Sequence, residues 1–248
     1  MQEKVSIIIP VYNAANYIEQ TISSVLAQDY ECWELLLVEN GSTDNSIEKI
    51  KKFDDPRIRL IILDGNAGAA NARNEGMRLA TGIYVGYLDA DDLWQSNKLS
   101  KQISFMKENG AAFCFTGYEF GDENAVGTGK VVYVPETLRY RQALSNTTIF
   151  TSTVLFDTRK ISKDRLYMPN VKSEDSALWF RVLREGNTAY GLDENLVIYR
   201  RPGKSLSSNK IEAMKRIWNL YRKQEKLNVF YSVYLFVGWA FRAVKRRV

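Results

Sequence analysis

The chain has no histidine at any position. That absence removes Ser-His-Asp and Cys-His nucleophilic catalysis, and every histidine-ligated metal site, in one step. An acid/base group working near neutral pH must then be sought first among the carboxylates. Cysteine is nearly absent too. Cys32 and Cys114 stand far apart, fit no metal-ligand spacing and read as small core residues, a usage that suits a reducing compartment. No run reaches the roughly 20 apolar residues of a membrane-crossing helix. Met1-Gln2-Glu3-Lys4, followed by a short apolar strand, lacks the longer apolar region of a secretory leader. The expectation is a cytoplasmic protein, or one peripheral on the inner face of a plasma membrane. No Gly-x-Gly-x-x-Gly follows the first strand and no Gly-Lys-Ser/Thr loop occurs, so neither the dinucleotide fingerprint nor the phosphate loop is present. A mononucleotide held through a metal ion stays open.

What is present is ordinary in bulk. Apolar content of 45% and charged content of 25% fit a globular protein, and 248 residues suffice for one large α/β domain with at most a small appendage. The formal charge of +5 fits anionic substrates or an anionic membrane as well as nucleic acid, so it decides little. The most telling stretch is Ile83 to Trp94. A β-branched and aromatic run, entered from Gly82, meets three carboxylates, Asp89, Asp91 and Asp92. Acids do not belong in a core strand, so the chain leaves the sheet at Asp89. Carboxylates two apart at a strand end can converge on a hard divalent cation completed by substrate phosphates. An acidic turn capping the next helix is the competing reading.

The rest of the chain bears on that choice. Val5 to Val11 reads as a buried strand that turns at Pro10, with Tyr12 and Asn13 at its end. Asn16 and Glu19 have the spacing of a capping box for a helix carrying Ile18, Ile22, Val25 and Leu26. Trp33 to Val38 is a second strand, ending in Glu39-Asn40-Gly41-Ser42-Thr43-Asp44. Ile47, Ile50 and Phe53 follow at helical spacing, and Ile58 to Leu63 is a third strand. A Gly65-to-Gly68 turn leads into a helix through Ala69, Ala72, Arg73, Gly76 and Leu79, with Gly82 as terminator. Such alternation predicts an α/β fold, a mostly parallel sheet with helices on both faces, whose ligand sits beyond the carboxyl ends of the strands. Tyr12-Asn13, Glu39-Asn40, Asn66 to Arg73 and Asp89 to Asp92 all fall at those ends. Four polar clusters on one edge put the metal reading of Asp91 ahead.

After a helix from Asn97 to Asn109 the alternation breaks down. Ala111 to Tyr118, Val131 to Val134 and Thr151 to Phe156 read as strands of a mixed, acceptor-side half. Tyr118, Thr151 and Ser152 are candidate acceptor contacts there. Trp94 and Trp179 read first as core packing, with stacking on a ligand as the competing role. Ser173-Glu174-Asp175 opens a helix, where acids favour the helix dipole and by themselves read as a cap. Arg200-Arg201-Pro202-Gly203-Lys204 is a basic loop, either solvated or a lid over phosphates. From Lys210 the chain is helical. Val229 to Val244 is aromatic and apolar and ends in Lys245-Arg246-Arg247, a helix that either packs on the domain or lies on anionic lipid.

Val5 to Asn13, the Glu39-to-Asp44 turn, Asn66-x-Gly68…Ala72-Arg73-Asn74-x-Gly76, Asp89-Ala90-Asp91-Asp92 and Glu174-Asp175 together resemble, in order and spacing, the motifs of family 2 glycosyltransferases. These are inverting enzymes of the GT-A fold. The resemblance covers about Val5 to Ser207, and the tail is similar to members that build bacterial capsule, teichuronic or O-antigen polysaccharides. It implies a Rossmann-like GT-A domain over 1–208, with a nucleotide-sugar half (1–96) and an acceptor half (97–208), and a C-terminal helical appendage over 209–248.

The resemblance also implies roles. Asp91 would ligate Mg²⁺ or Mn²⁺ on the donor diphosphate, with Asp89 near the ribose and the metal shell. Pro10, Val11, Tyr12, Asn13, Glu39, Asn40, Asn66, Gly68, Arg73 and Ala90 would hold the nucleotide. Asp175, preceded by Glu174, would be the general base on the acceptor hydroxyl. Two departures matter. Glu39-Asn40 stands where many members have Asp-Asp, and an Asn both donates and accepts, so the base of the donor is less fixed, with a UDP-sugar favoured. No histidine follows Tyr199, so Arg200, Arg201 and Lys204 are expected to face the diphosphate. The reading is metal-assisted single displacement onto a glycan or lipid-linked saccharide. The basic residues are scattered except at the tail, so no nucleic-acid partner is expected. A non-catalytic nucleotide- or glycan-binding domain on the same scaffold is the alternative.

Overall fold

The computed structural model describes residues 2–201 and 210–245. Lys204 therefore lies outside the described residues. In chain order the elements are β1 (Val5–Val11), α1 (Ile18–Leu26), β2 (Trp33–Glu39), α2 (Ser46–Ile50), β3 (Ile58–Ile62), α3 (Ala69–Leu79), β4 (Tyr84–Tyr87), β5 (Leu93–Trp94) and α4 (Lys98–Glu108). Then come β6 (Phe113–Gly121), β7 (Gly127–Val132), β8 (Thr137–Leu138), α5 (Tyr140–Ser145), β9 (Leu155–Asp157), α6 (Glu174–Arg184), β10 (Ala189–Arg200), α7 (Lys210–Asn219) and α8 (Val229–Lys245).

The β-branched runs pair into one ten-stranded sheet, ordered β3-β2-β1-β4-β9-β6-β10-β5, with β7 on β6 and β8 on β10. From β3 to β4 every pairing is parallel, as strand–helix alternation requires. Beyond β4 the sheet is mixed. β9 runs antiparallel to both β4 and β6, and β10 runs parallel to β6. Helices cover both faces, so the central strands are apolar on each side. Ile7 and Ile9 pack with Ile18, Ile22 and Val25 of α1, while Ile8 between them packs with Met77, Tyr87 and Trp179 on the opposite face. α3 lies close against β1 because Gly76 has no side chain. A Cβ there would stand 2.4 Å from Ile8 Cγ2.

Several local expectations are corrected. β1 is not interrupted at Pro10, which stays in register opposite Val38. The Asn16–Glu19 capping box does not form: α1 starts at Ile18 with no side-chain cap, and Glu19 instead pairs with Lys49 and Lys52 at 2.9 and 3.0 Å. α3 ends at Leu79, its chain turning extended at Ala80, so Gly82 is not its terminator. Gly82 is small for a different reason, since a Cβ would stand 2.6 Å from the Ser6 nitrogen. Thr151 to Thr153 is a 3₁₀ turn rather than strand, with the Thr153 hydroxyl donating back to the Phe150 carbonyl (2.6 Å). Ser, Thr and Asx side chains that bond nearby backbone compete with strand pairing in this way.

The C-terminal helices pack into the same core. Ile217, Leu220, Tyr221 and Leu235 join the cluster that contains Trp179 and Phe180 of α6. The Tyr221 hydroxyl donates to the Leu144 carbonyl at 2.5 Å, and Glu225 accepts from Tyr140 (2.5 Å) and Arg184 (2.6 Å). Among the described residues no helix is long and apolar enough to cross a membrane.

Candidate active site

A cavity of about 470 Å³ opens over the carboxyl ends of β1, β2 and β4. That is the size range of a small-ligand pocket, placed where open α/β sheets bind ligands. Of the residues expected on the donor side, Pro10, Val11, Tyr12, Asn13, Asn40, Asn66, Gly68, Arg73, Asp89, Ala90 and Asp91 all line it. The loops that form its walls are tied together by short polar side chains. The Asn13 carboxamide oxygen accepts from the Thr43 N–H (2.8 Å), and Ser42 accepts from the Asn13 N–H (3.0 Å). Asn40 donates to Asn66 (3.0 Å) and accepts from the Ala67 N–H (3.0 Å), so its amide braces the neighbouring loop at the cavity wall. Asn66 also accepts from the Gly68 N–H, whose residue has φ +88, a conformation glycine adopts freely. Glu39 does not reach the cavity. It is buried and accepts from the Ser42 N–H, which makes it a brace of the turn rather than a nucleotide contact.

The loop after β4 is held as tightly. Asp92 is fully buried, accepting from the Ser152 hydroxyl (2.5 Å) and the Arg200 N–H (3.1 Å). Ser152 also accepts from the Asp89 N–H (3.1 Å), and Thr21 donates to the carbonyls of Ala90 and Asp92, both at 3.0 Å. Burial first, then the neighbouring Asp91 and Asp89 charges, pushes the Asp92 carboxyl well above its usual range. Asp91 is freer: no described side chain donates to its carboxylate, and burial together with Asp89 lifts it to about 6. Unpaired, part-buried and facing a cavity, it is the group here that a divalent cation would neutralise. Among the described residues no cluster of three acidic or thiol side chains is placed to cage a metal. One carboxylate completed by substrate oxygens is the Mg²⁺- and Mn²⁺-type arrangement, and Asp91 fits it.

Arg73 joins the two sides of the site. It is buried, and donates to Asp89 at 2.6 Å and to Glu174 at 2.9 Å. Burial opposes its charge, but Asp89 and Glu174 outweigh it and hold the guanidinium charged. Arg73 therefore borders the cavity with its terminal nitrogens already committed to carboxylates. Glu174 is likewise committed to this bridge. Asp175, the next residue, accepts from the Thr151 hydroxyl (3.2 Å) and the Ser176 N–H (2.6 Å). Burial, then Glu174, raises its carboxyl above the usual range, the direction a general base near neutral pH needs. No residue caps α6 by side chain; Ser173 enters it in the left-handed conformation, φ +61, so the acids are not an ordinary cap.

Other expected residues are placed elsewhere. Arg200 is no lid: it is buried, donating to the carbonyls of Asp91 (2.6 Å) and Glu123 (2.7 Å) and to Gln20 (2.6 Å). An arginine with three such partners is fixed under the carboxylate loop, not swung over a phosphate. Arg201 lies 5.1 Å from the Phe120 ring centroid. Ser152 is buried on Asp92, and Trp94 is buried with its Nε1–H on the Ser152 carbonyl (2.7 Å), so neither offers an acceptor contact. Trp179 packs among Tyr87, Phe113 and Phe156 in the core. Tyr118 is buried among Phe120, Phe150 and Tyr199. Of the acceptor candidates Thr151 alone reaches the site, through Asp175. Three cavity residues were not among the expected site residues: Ala14, Tyr17 and Ala69, of which Tyr17 also lies 4.7 Å from the Arg200 guanidinium. Their signal was their place just after the expected contacts Asn13 and Gly68.

A parallel sheet with a carboxylate loop at its centre and a mixed flank carrying a second acid is the architecture of the GT-A fold. Comparison with known proteins names the family. The sequence pattern described as "Glycosyl transferase family 2" matches residues 6–165. A Bacillus subtilis protein named for glycosyl transfer in teichuronic acid biosynthesis is 41% identical over 98% of this chain and 97% of its own. An Escherichia coli protein named UDP-Glc:alpha-D-GlcNAc-diphosphoundecaprenol beta-1,3-glucosyltransferase is 39% identical over 87% of this chain and 84% of its own. Staphylococcus aureus TarS, solved with UDP-GlcNAc, superposes with a TM-score of 0.72 at 20% identity, over 96% of this chain and 71% of that one, a likeness of fold. The chain belongs to glycosyltransferase family 2 and is a glycosyltransferase, which sets the non-catalytic alternative aside.

Proposed function

We propose that this enzyme transfers a sugar from a UDP-sugar to a hydroxyl of a lipid-linked saccharide, in the synthesis of a bacterial surface polysaccharide, with inversion at the anomeric carbon. The observation that carries this reading is the presence of Asp91 at the cavity, with no described side chain donating to its carboxylate, and of a part-buried Asp175 on the other side of Arg73. The names of the Bacillus and Escherichia relatives, and the UDP-GlcNAc bound to TarS, favour the donor and acceptor classes.

The cavity between the β1, β2 and β4 loops receives the nucleotide, with Tyr12, Asn13 and Asn66 at its wall. Asp91, with Asp89 beside it in the same loop, would hold Mg²⁺ or Mn²⁺, and the bound cation would supply positive charge against the departing diphosphate. A mannosyltransferase of the same fold, from Pyrobaculum calidifontis, was solved with GDP-Man and Mn²⁺. Asp175 is kept in one orientation by the Thr151 hydroxyl and the Ser176 N–H. It takes the acceptor hydroxyl proton as that oxygen bonds to the anomeric carbon. The bond to the diphosphate breaks on the opposite face and its electron pair leaves with the diphosphate. A single displacement needs no second nucleophilic carboxylate, and none is required of Glu174, which Arg73 occupies. With such an acceptor the enzyme works at the cytoplasmic surface of the cell membrane.

Calorimetric titration with UDP, GDP and dTDP, with Mn²⁺ and then with EDTA, tests the donor site. The expected result is UDP binding that needs the metal and falls at least about a hundredfold in Asp91→Asn. Metal-independent binding of equal strength in wild type and Asp91→Asn overturns the assignment.

A further inference from the structure

Helix α8 is packed on one side and bare on the other. Inward, Ser232 and Leu235 are buried, Phe236 meets Trp218 edge-on at 6.0 Å, and the Trp239 indole donates to the Thr147 hydroxyl at 3.1 Å. Outward, Phe230, Val233, Tyr234, Val237, Phe241 and Val244 are all exposed, Phe230 by 90% and Tyr234 by 74%. At the turn angle of an α-helix these six fall within an arc of about 100°, a continuous apolar stripe. Elsewhere among the described residues the exposed large apolar side chains stand singly, as at Ile62 and Tyr133, or as one pair a helical turn apart at Ile211 and Met214. Scattered residues need no partner, whereas a stripe of this kind does.

The charge around the stripe selects the partner. From Lys226 to the end the sequence holds Lys226, Arg242, Lys245, Arg246 and Arg247 and no Asp or Glu. A second copy of this chain, docked by two-fold symmetry, would bring these like charges together. An anionic lipid surface instead neutralises them while its acyl region takes the aromatic side chains. At 17 residues α8 is short of the roughly 20 needed to span a bilayer, so it lies along the surface rather than across it.

We propose that α8 docks the enzyme on anionic phospholipid, with Phe230, Tyr234, Val237 and Phe241 entering the interface and the basic character of the sequence around the helix favouring anionic over neutral lipid. This inference rests on the reading of a lipid-linked acceptor and adds how the enzyme reaches it. The same helix braces the acceptor side. Arg242 donates to the Ser145 hydroxyl at 3.1 Å and Trp239 holds Thr147, four residues before the Thr151 that orients Asp175. Docking through α8 therefore sets the acceptor side of the chain, not the nucleotide cavity alone, near the bilayer.

Vesicle sedimentation of the full chain tests this, using phosphatidylcholine vesicles and vesicles of phosphatidylcholine and phosphatidylglycerol in equal parts. The expected result is binding to the anionic vesicles that weakens with salt, and little binding to the neutral ones. Phe230→Ser combined with Phe241→Ser should lower the partition at least about tenfold. Lys245→Glu with Arg246→Glu should remove the preference for anionic lipid. UDP affinity measured by calorimetry should be unchanged in both variants, because none of these residues touches the cavity. That readout separates this proposal from the donor-site assignment, which is judged by UDP binding and its dependence on metal and on Asp91, not by vesicle binding. Wild-type protein that ignores anionic vesicles, or that binds both vesicle types equally, overturns the proposal. So does a dimer in solution that the two Ser substitutions dissolve.

Discussion

The two halves of this enzyme hold their functional groups in different ways. On the donor side the ties are between successive βα units: Ser42 to Asn13 is 29 residues apart, Ser46 to Ala14 is 32, and Asn40 to Asn66 is 26. On the acceptor side they cross the chain: Ser152 to Asp92 spans 60 residues, Arg73 to Glu174 spans 101, and Arg200 to Asp91 spans 109. The cavity is thus set by neighbouring loops of a parallel sheet. Asp175 and the carboxylate loop are set only when the mixed strands have closed on them.

Substitutions can break this division, and the largest effect is expected where chemistry and placement meet. Asp175→Asn should reduce turnover by about 10²–10⁴-fold while leaving UDP affinity intact, measured by sugar-transfer assay beside calorimetry. An equal loss of UDP affinity would show that the halves are not separable in function. Arg73→Met should remove the cation that ties Asp89 in one half to Glu174 in the other, leaving the two carboxylates close together and without it. The expected cost is about 3–5 kcal/mol in urea unfolding, with loss of both binding and transfer.

Glu34 tests the donor half alone, away from the cavity. Burial raises its carboxyl, but the hydroxyls of Ser6 and Thr81, the Thr81 N–H and Lys4 outweigh this and bring it down from 4.5 to about 2. A depressed carboxylate contributes stability above its ordinary value and loses it as pH falls toward the folded one. Glu34 should therefore contribute about 3 kcal/mol at neutral pH, lost between pH 4.5 and about 2. Glu34→Gln should flatten that limb in acid titrations followed by circular dichroism. The smallest effect is expected at Asn66→Ala, which cuts only local ties to Asn40 and Gly68. It should cost about 1 kcal/mol in urea and leave α6 unperturbed by hydrogen exchange.

The same division explains what could be read from sequence. β1, β2 and β4 announce themselves as β-branched runs because both their faces are buried, and their polar ends fall at one edge by topology. The donor residues at those ends do line one cavity, Glu39 excepted. Arg200 and Ser152 read as exposed functional groups because polar residues in loops are usually solvated. Their partners, Asp91, Asp92 and Gln20, lie too far along the chain for spacing to reveal them. Thr151 to Thr153 reads as strand by its β-branched content, yet hydroxyl-to-backbone bonds turn it into the support for Asp175. Glu174 and Asp175 read as a helix cap until Arg73, a hundred residues earlier, separates their roles.

The strand order has a consequence for length. Three strands, β9, β6 and β10, stand between β4 and β5, yet only residues 88–92 connect them. A flat sheet would ask that connection to cross four strand spacings, about 19 Å. Its extended reach is about 20 Å, and the turn closed by the Asp92 N–H on the Asp89 carbonyl at 3.1 Å shortens it. The mixed strands must therefore curl back toward β4 to meet it. The segment bearing Asp89 and Asp91 can therefore fold into a turn only because the sheet curls, and the curl is what lets β10 reach Asp92 through the Arg200 N–H.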